Sequence, residues 1–292
     1  MSRIAYVNGR YQALPQASVH IEDRGFQFAD GVYEVVYQYG GRLIDTGLHL
    51  ARLDRSLREL AIPRPVSDAA LLVILREVAR RNRLRGGLLY IQVTRGTAPR
   101  AHAFPAPGTP PTLVVTMRRG APFPASVATW QGAAITVPDQ RWARCDIKST
   151  SLLPNVLAKQ RAAEAGAVEA ILVGAGELIT EGSSTSVFIV DAEGVLRTRP
   201  LSHAILPGCT RAALLGELAG SGLEVREEAF TLDELRQARE VFITAATTFV
   251  KPIVQLDGAP VGDGTPGPVA RQLFAIMRRH VTGLPNAYTE LP

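Results

Sequence analysis

Leu50, Leu53, Leu57 and Leu60 recur at helical spacing, which puts one apolar stripe along a helix over 47–60. Upstream, Val32-Tyr33-Glu34-Val35-Val36-Tyr37 is β-branched and aromatic, the composition of a strand. Strands beside one-sided helices predict a mixed α/β (α+β) fold. Ser67-Asp68 caps a second helix with Leu71, Leu72, Leu75 and Val78 inward. Strands are expected over 88–94 and 112–117, and Tyr6-Val7-Asn8-Gly9-Arg10-Tyr11 carries the Asn-Gly hairpin signal. Residues 24–31 read as a loop. Further on, strands are expected over 133–137, 168–173, 187–190 and 241–246. Helices are expected over 153–165, stopped by Gly166, over 212–218, after the Thr231-Leu232-Asp233-Glu234 capping box, and over 269–281. Ala121-Pro122-Phe123-Pro124-Ala125 is a Pro-rich connection. A chain of 292 residues then divides into a domain over 1–120, a linker over 121–127 and a domain over 128–292 that carries Lys148.

Composition excludes several function classes. The net charge is +5, but arginines alternate with acids and only 6% of residues are aromatic, so there is no basic stripe for nucleic acid. Neither a signal-peptide core nor an apolar run of about 18 residues occurs, so a soluble, cytoplasmic protein without a membrane partner is expected. Cys145 and Cys209 are far apart and offer neither a disulfide framework nor zinc spacing, which fits a reducing compartment and no metal.

The chain has three lysines against 29 arginines. Arginine stays protonated, whereas a desolvated lysine shifts its pKa and attacks carbonyls. Lys159 sits in a polar helical run, and Lys251 follows a strand and precedes Pro252; both read as ordinary. Lys148 lies where an apolar strand gives way to a Ser/Thr-rich loop. Glu181 stands beside the hydroxyl cluster Ser183-Ser184-Thr185-Ser186. Leu206-Pro207-Gly208-Cys209-Thr210-Arg211 opens a helix, where backbone N–H groups and a hydroxyl make an anion site; a plain threonine-capped turn has the same pattern. Gly174-Ala175-Gly176 lacks the third glycine of a dinucleotide fingerprint and reads as a hairpin turn. Lone lysine, acid and anion cradles are the parts that pyridoxal 5'-phosphate needs.

Three stretches resemble the fold-type IV pyridoxal-phosphate enzymes: Glu22-Asp23-Arg24-Gly25-Phe26-Gln27-Phe28-Ala29-Asp30-Gly31-Val32-Tyr33-Glu34-Val35, Arg141-Trp142-Ala143-Arg144-Cys145-Asp146-Ile147-Lys148-Ser149 and Thr180-Glu181-Gly182-Ser183-Ser184. Arg95-Gly96-Thr97-Ala98-Pro99-Arg100-Ala101-His102 is similar to one branch, the D-amino acid (D-alanine) aminotransferases. The resemblance implies two α/β domains, a homodimer, and ping-pong transfer of the amino group from D-amino acids to 2-oxo acids. By match, Lys148 is the Schiff-base lysine and general acid/base, and Glu181 pairs with the pyridine nitrogen. Arg52, otherwise a solvated arginine off the leucine stripe, would bind the phosphate. Thr210, the Cys209 backbone and Thr247 would complete the phosphate cup, and Leu206 would pack on the ring. Ser184 and Arg141 match positions around the ring and its carboxylate partner. Tyr33, Arg100 and His102 match the trap for the substrate α-carboxylate, the last two reaching in from the other subunit. Ala245-Ala246 and Thr185-Ser186 depart from common hydroxyl and Ser-Asn residues. The rival readings within the fold are a branched-chain L-amino acid aminotransferase, an (R)-amine transaminase and an aminodeoxychorismate lyase. A ligand-binding relative without catalysis is the rival from another class.

Overall fold

The computed structural model describes residues 3–283. Its contacts separate two compact units: the described residues up to Pro122 together with Ile147–Leu152, and Phe123–Asp146 with the described residues from Leu153 onward. The six residues around Lys148 therefore pack with the first unit, although the sequence on both sides of them belongs to the second.

The first unit holds strands β1 (Ile4–Val7), β2 (Arg10–Ala13), β3 (Gly31–Tyr39), β4 (Arg42–Leu43), β5 (Gly87–Thr94) and β6 (Thr112–Arg118), with helices α1 (Arg24–Phe28), α2 (Thr46–Glu59) and α3 (Asp68–Arg81). The strands form one antiparallel sheet in the order β2-β1-β6-β5-β3-β4. The expected leucine stripe is present: Leu53 and Leu57 pack with Val32, Val36 and Ile91. Burying a leucine side chain contributes about 1.5–3 kcal/mol. Ser67 caps α3 by accepting the Ala70 N–H.

The segment over 24–31 differs from the expected loop. Asp23 accepts the Gly25 N–H and starts the short helix α1, which Ala29 ends in a left-handed conformation with φ 55°. A cap and a stop so close together leave no room for apolar periodicity, so such a helix has no sequence signature.

The second unit holds β7 (Gly132–Pro138), α4 (Leu153–Glu164), β8 (Glu169–Val173), β9 (Ile179–Gly182), β10 (Ser186–Val190), β11 (Leu196–Thr198), α5 (Cys209–Glu217), β12 (Val225–Glu227), α6 (Leu232–Gln237), β13 (Glu240–Ala245), β14 (Phe249–Leu256), β15 (Ala259–Pro260) and α7 (Pro268–Thr282). They build a mixed sheet in the order β12-β11-β10-β13-β14-β7-β8-β9, with β15 on β14. Strand β14 is central and goes beyond the expected strands, because Pro252 argues against an interior strand. Its pairing with β7 begins at Ile253, so the missing N–H of Pro252 costs no bond on that side. The Thr231 capping box closes as expected, with Glu234 returning to the Thr231 N–H. Among the described residues no helix is long and apolar enough to cross a membrane.

Candidate active site

Lys148 is fixed by its neighbours along the backbone. Tyr33 N–H donates to the Lys148 carbonyl at 2.9 Å, and Thr150 N–H to the Gly31 carbonyl at 2.9 Å, so the segment runs along the start of β3. Ser56 of α2 accepts the Lys148 N–H at 3.2 Å. The Lys148 ammonium lies 4.3 Å from the centre of the Tyr33 ring and has no carboxylate partner among the described residues. Tyr33 stacks on Tyr90 at 5.7 Å. Tyr90 donates to Gln92 at 2.7 Å, and burial pushes its phenol up to about 12. The expected lysine and one expected carboxylate-binding residue are thus brought together. The other two lysines are accounted for: Lys159 pairs with Glu169 at 3.3 Å, and Lys251 sits 3.6 Å over the Trp130 ring.

Arg52 is buried, which excludes the solvated reading. Its Nε and Nη2 donate to Glu34 at 2.7 and 2.9 Å, and His49 Nδ1 lies 2.7 Å from the same carboxylate. Burial alone pushes Glu34 up, but the Arg52 charge and the bonds from Arg52 and His49 outweigh it and hold the carboxyl at about 2, against an ordinary 4.5. A depressed carboxylate contributes stability above its unfolded pKa and loses it as pH falls through the folded one. The contribution, about 3 kcal/mol from the two values, is therefore complete above pH 4.5 and gone near pH 2. Glu34→Ala removes the buried carboxylate that Arg52 and His49 share, and an expected loss of about 3–5 kcal/mol is checked by denaturant unfolding at pH 7. A loss below about 1 kcal/mol contradicts this account.

Arg100 and His102 are exposed on the loop between β5 and β6. The Arg100 guanidinium lies 4.5 Å from the Phe28 ring centre, and the His102 ring lies 5.6 Å from it. The two expected trap residues therefore meet on one aromatic side chain.

In the second unit Glu181 is buried and its carboxylate faces donors. Arg141 Nη1 pairs with it, and the Leu206 N–H donates to both oxygens at 3.2 Å. The backbone of Leu206 rather than its side chain makes this contact. Arg141 is itself held by Asp139, Nε to Oδ1 at 2.9 Å and Nη2 to Oδ2 at 2.8 Å, while Thr180 donates to Asp139 at 2.7 Å. Burial pushes the Asp139 carboxyl up, but Arg141 and Thr180 hold it below the usual range. Two carboxylates thus share one guanidinium.

The hydroxyls after Glu181 are gathered by a residue the sequence did not single out. Glu169, fully buried, accepts from Ser183, from Ser184 at 3.2 Å and from Thr185 at 3.0 Å. Cys209 and Thr210 are buried in the first turn of α5, whose N-cap Gly208 supplies no side-chain cap and whose first turn carries no acid. A Cβ at Gly208 would come within 2.6 Å of Ser186 Oγ, so any larger residue there has to displace that hydroxyl. Thr247 is exposed in the turn between β13 and β14, and beside it the buried Thr248 hydroxyl has no partner among the described residues. Cys145 is no nucleophile: burial pushes its thiol up to about 11.

Glu34, Asp139 and Glu169 were missed because each is a lone acid in a strand or loop, and only folding brings its partners to it. The sole local signal was the Asp139-x-Arg141 spacing.

A model of the amino-transferase class IV family matches residues 31–256. D-alanine aminotransferase of Bacillus licheniformis is 43% identical over 276 residues, covering 94% of this chain and 95% of that protein. D-alanine aminotransferase of Listeria monocytogenes is 39% identical over 277 residues, with 94% and 95% covered. Among solved structures, a T.th. branched-chain amino acid aminotransferase with pyridoxamine 5'-phosphate superposes with a TM-score of 0.87 at 27% identity, covering 97% of this chain and 95% of that one. With most of the chain matched by the family model and relatives aligned over nearly its whole length, the chain belongs to the amino-transferase class IV family, of fold type IV.

Proposed function

We propose that this chain is a pyridoxal-phosphate transaminase that moves the amino group of D-alanine and other D-amino acids to 2-oxoglutarate or pyruvate in ping-pong fashion. The residues fit that cofactor by their chemistry. The uncapped, acid-free start of α5 and the unpartnered Thr248 hydroxyl suit a phosphate. Glu181, an ionised acceptor, suits a protonated ring nitrogen, and Lys148 carries an amine with no competing carboxylate among the described residues. Arg52, aimed by Glu34, together with Thr210, Thr247 and the Cys209 N–H, is assigned the phosphate, with Ser184, Leu206 and Arg141 around the ring and Glu181.

When bound, pyridoxal phosphate supplies an electron sink for the Cα–H electrons of the substrate. Lys148 would hold the cofactor covalently, and its Nζ would act as the base that takes the substrate Cα proton. Glu181 would keep the ring nitrogen protonated, since a carboxylate beside it favours the N–H form. Tyr33, Arg100 and His102 take the α-carboxylate, with the Arg100 loop acting in the active site of the partner subunit. A homodimer is supported by the exposed apolar side chains Leu153, Val156 and Leu157 in the first turns of α4. A cytoplasmic setting is supported by two buried cysteines that form no disulfide.

The observation that supports the D-branch over the branched-chain one is the meeting of Arg100 and His102 on Phe28, which keeps two donor side chains side by side. A charge-assisted bond contributes about 1.5–3 kcal/mol. Arg100→Ala is therefore expected to cost about 10- to 200-fold in kcat/KM for D-alanine, with the visible spectrum kept. Activity toward a primary (R)-amine, which has no carboxylate to hold, should survive largely intact. Single-turnover kinetics with D-alanine, L-alanine and the (R)-amine decide it. Preference of the unmutated enzyme for L-alanine, or unchanged D-alanine turnover in the variant, would favour the branched-chain reading.

A further inference from the structure

The start of the loop that carries Arg100 and His102 is anchored by backbone bonds to the segment over 22–30. Arg24 N–H donates to Gly96, Arg95 N–H to Asp30 and Ala98 N–H to Glu22. Beyond Ala98, among the described residues, Arg24 supplies both hydrogen bonds that hold the backbone over 99–104: Nη1 to the Ala101 carbonyl at 2.6 Å and Nη2 to the His102 carbonyl at 3.4 Å. These carbonyls flank the two trap side chains. Arg24 is buried and is aimed by Asp30, which accepts its Nε at 2.8 Å and also clamps Arg95 at 2.8 and 3.0 Å. Burial pushes the Asp30 carboxyl up, but the two guanidinium groups outweigh it and hold it ionised below the ordinary range. Arg24 also lies 4.9 Å from the Phe28 ring centre, the ring that Arg100 and His102 share.

We propose that Arg24 and Phe28 are positioning residues that preset Arg100 and His102 for the substrate α-carboxylate, Arg24 through the loop backbone and Phe28 through the two side chains. This rests on the transaminase reading above. A cationic side chain on an exposed loop otherwise samples many rotamers, and ordering it on binding subtracts from affinity. Three nitrogens of one planar fork make the contacts of Arg24, and a lysine has no geometry to replace them. The contact with the carboxylate exists both before and during the reaction, so its loss falls on KM rather than kcat.

The test uses the holoenzyme. Arg24→Lys is expected to raise KM for D-alanine about tenfold, and Phe28→Leu, at a half-buried position that tolerates the change, about two- to fivefold. In both, kcat and the rate with an (R)-amine should stay within about twofold of the parent. Added to an Arg100→Ala, His102→Ala background, Arg24→Lys should cost less than about twofold more, since nothing is left to position. Unchanged KM in both variants, while Arg100→Ala is costly, overturns the proposal and leaves the carboxylate trap standing. Equal losses with the amine, or full additivity in the triple variant, overturn it in favour of a purely structural role. A silent Arg100→Ala removes the underlying reading and the proposal with it.

Discussion

Lys148→Ala is expected to lower transamination at least 10²- to 10⁴-fold, roughly the range for removing a positioned general acid/base. Lys148 is set apart by uniqueness as well as by place. Only three lysines exist; Lys159 is engaged by Glu169 and the Val168 carbonyl, and Lys251 by Trp130. Lys148 alone combines a fixed backbone, through Tyr33 and Ser56, with an amine that pairs with no carboxylate among the described residues. Borohydride reduction of the coloured holoenzyme followed by peptide mapping should place the cofactor on Lys148. An adduct on Lys159 or Lys251, or a Lys148→Ala enzyme that turns over D-alanine normally, would falsify the assignment.

Glu181→Gln should retain the cofactor yet slow turnover by about 10²-fold or more. The amide still accepts the Leu206 N–H, so the fold around it survives, but it carries no charge to keep the ring nitrogen protonated. Losing about 3 kcal/mol of transition-state electrostatics corresponds to that factor. Arg141 sharpens the expectation. Asp139 already takes the Nε/Nη2 edge of its guanidinium, so Glu181 shares Arg141 with a second carboxylate. The measurement is stopped-flow kinetics on enzyme shown by absorbance to be fully loaded. Near-normal rates in the loaded variant contradict the role of Glu181.

The residues with the largest expected effects were legible early because their signals are contiguous. Lys148 stands out by the scarcity of lysine, and Glu181 by its place in Thr180-Glu181-Gly182-Ser183-Ser184. Arg100 and His102 lie in a single short stretch of chain. Residues that steer them were not legible. Arg24 reaches the Ala101 carbonyl across 77 positions, and Arg141 reaches Glu181 across 40. No local pattern encodes which of 29 arginines is buried on a carboxylate and which is solvated. By helical periodicity alone Arg52 is a surface charge off the leucine stripe, and only the family resemblance turned it inward; Glu34 and His49 hold it in the fold.

By itself the sequence determined the helices over the leucine stripes, the Ser67 and Thr231 caps, most strands and the contiguous motifs around Lys148, Glu181 and Arg100, because periodicity, capping and motif all act within a few residues of chain. The tertiary structure alone decided that Ile147–Leu152 packs with the first unit, that Pro252 is accommodated in a central strand, and that Arg24, Asp30 and Phe28 set the Arg100 loop. Each of those outcomes turns on which distant group satisfies a buried charge or backbone bond. That is settled only when the sheet brings the groups within hydrogen-bonding reach, since water competes for every one of them in the unfolded chain.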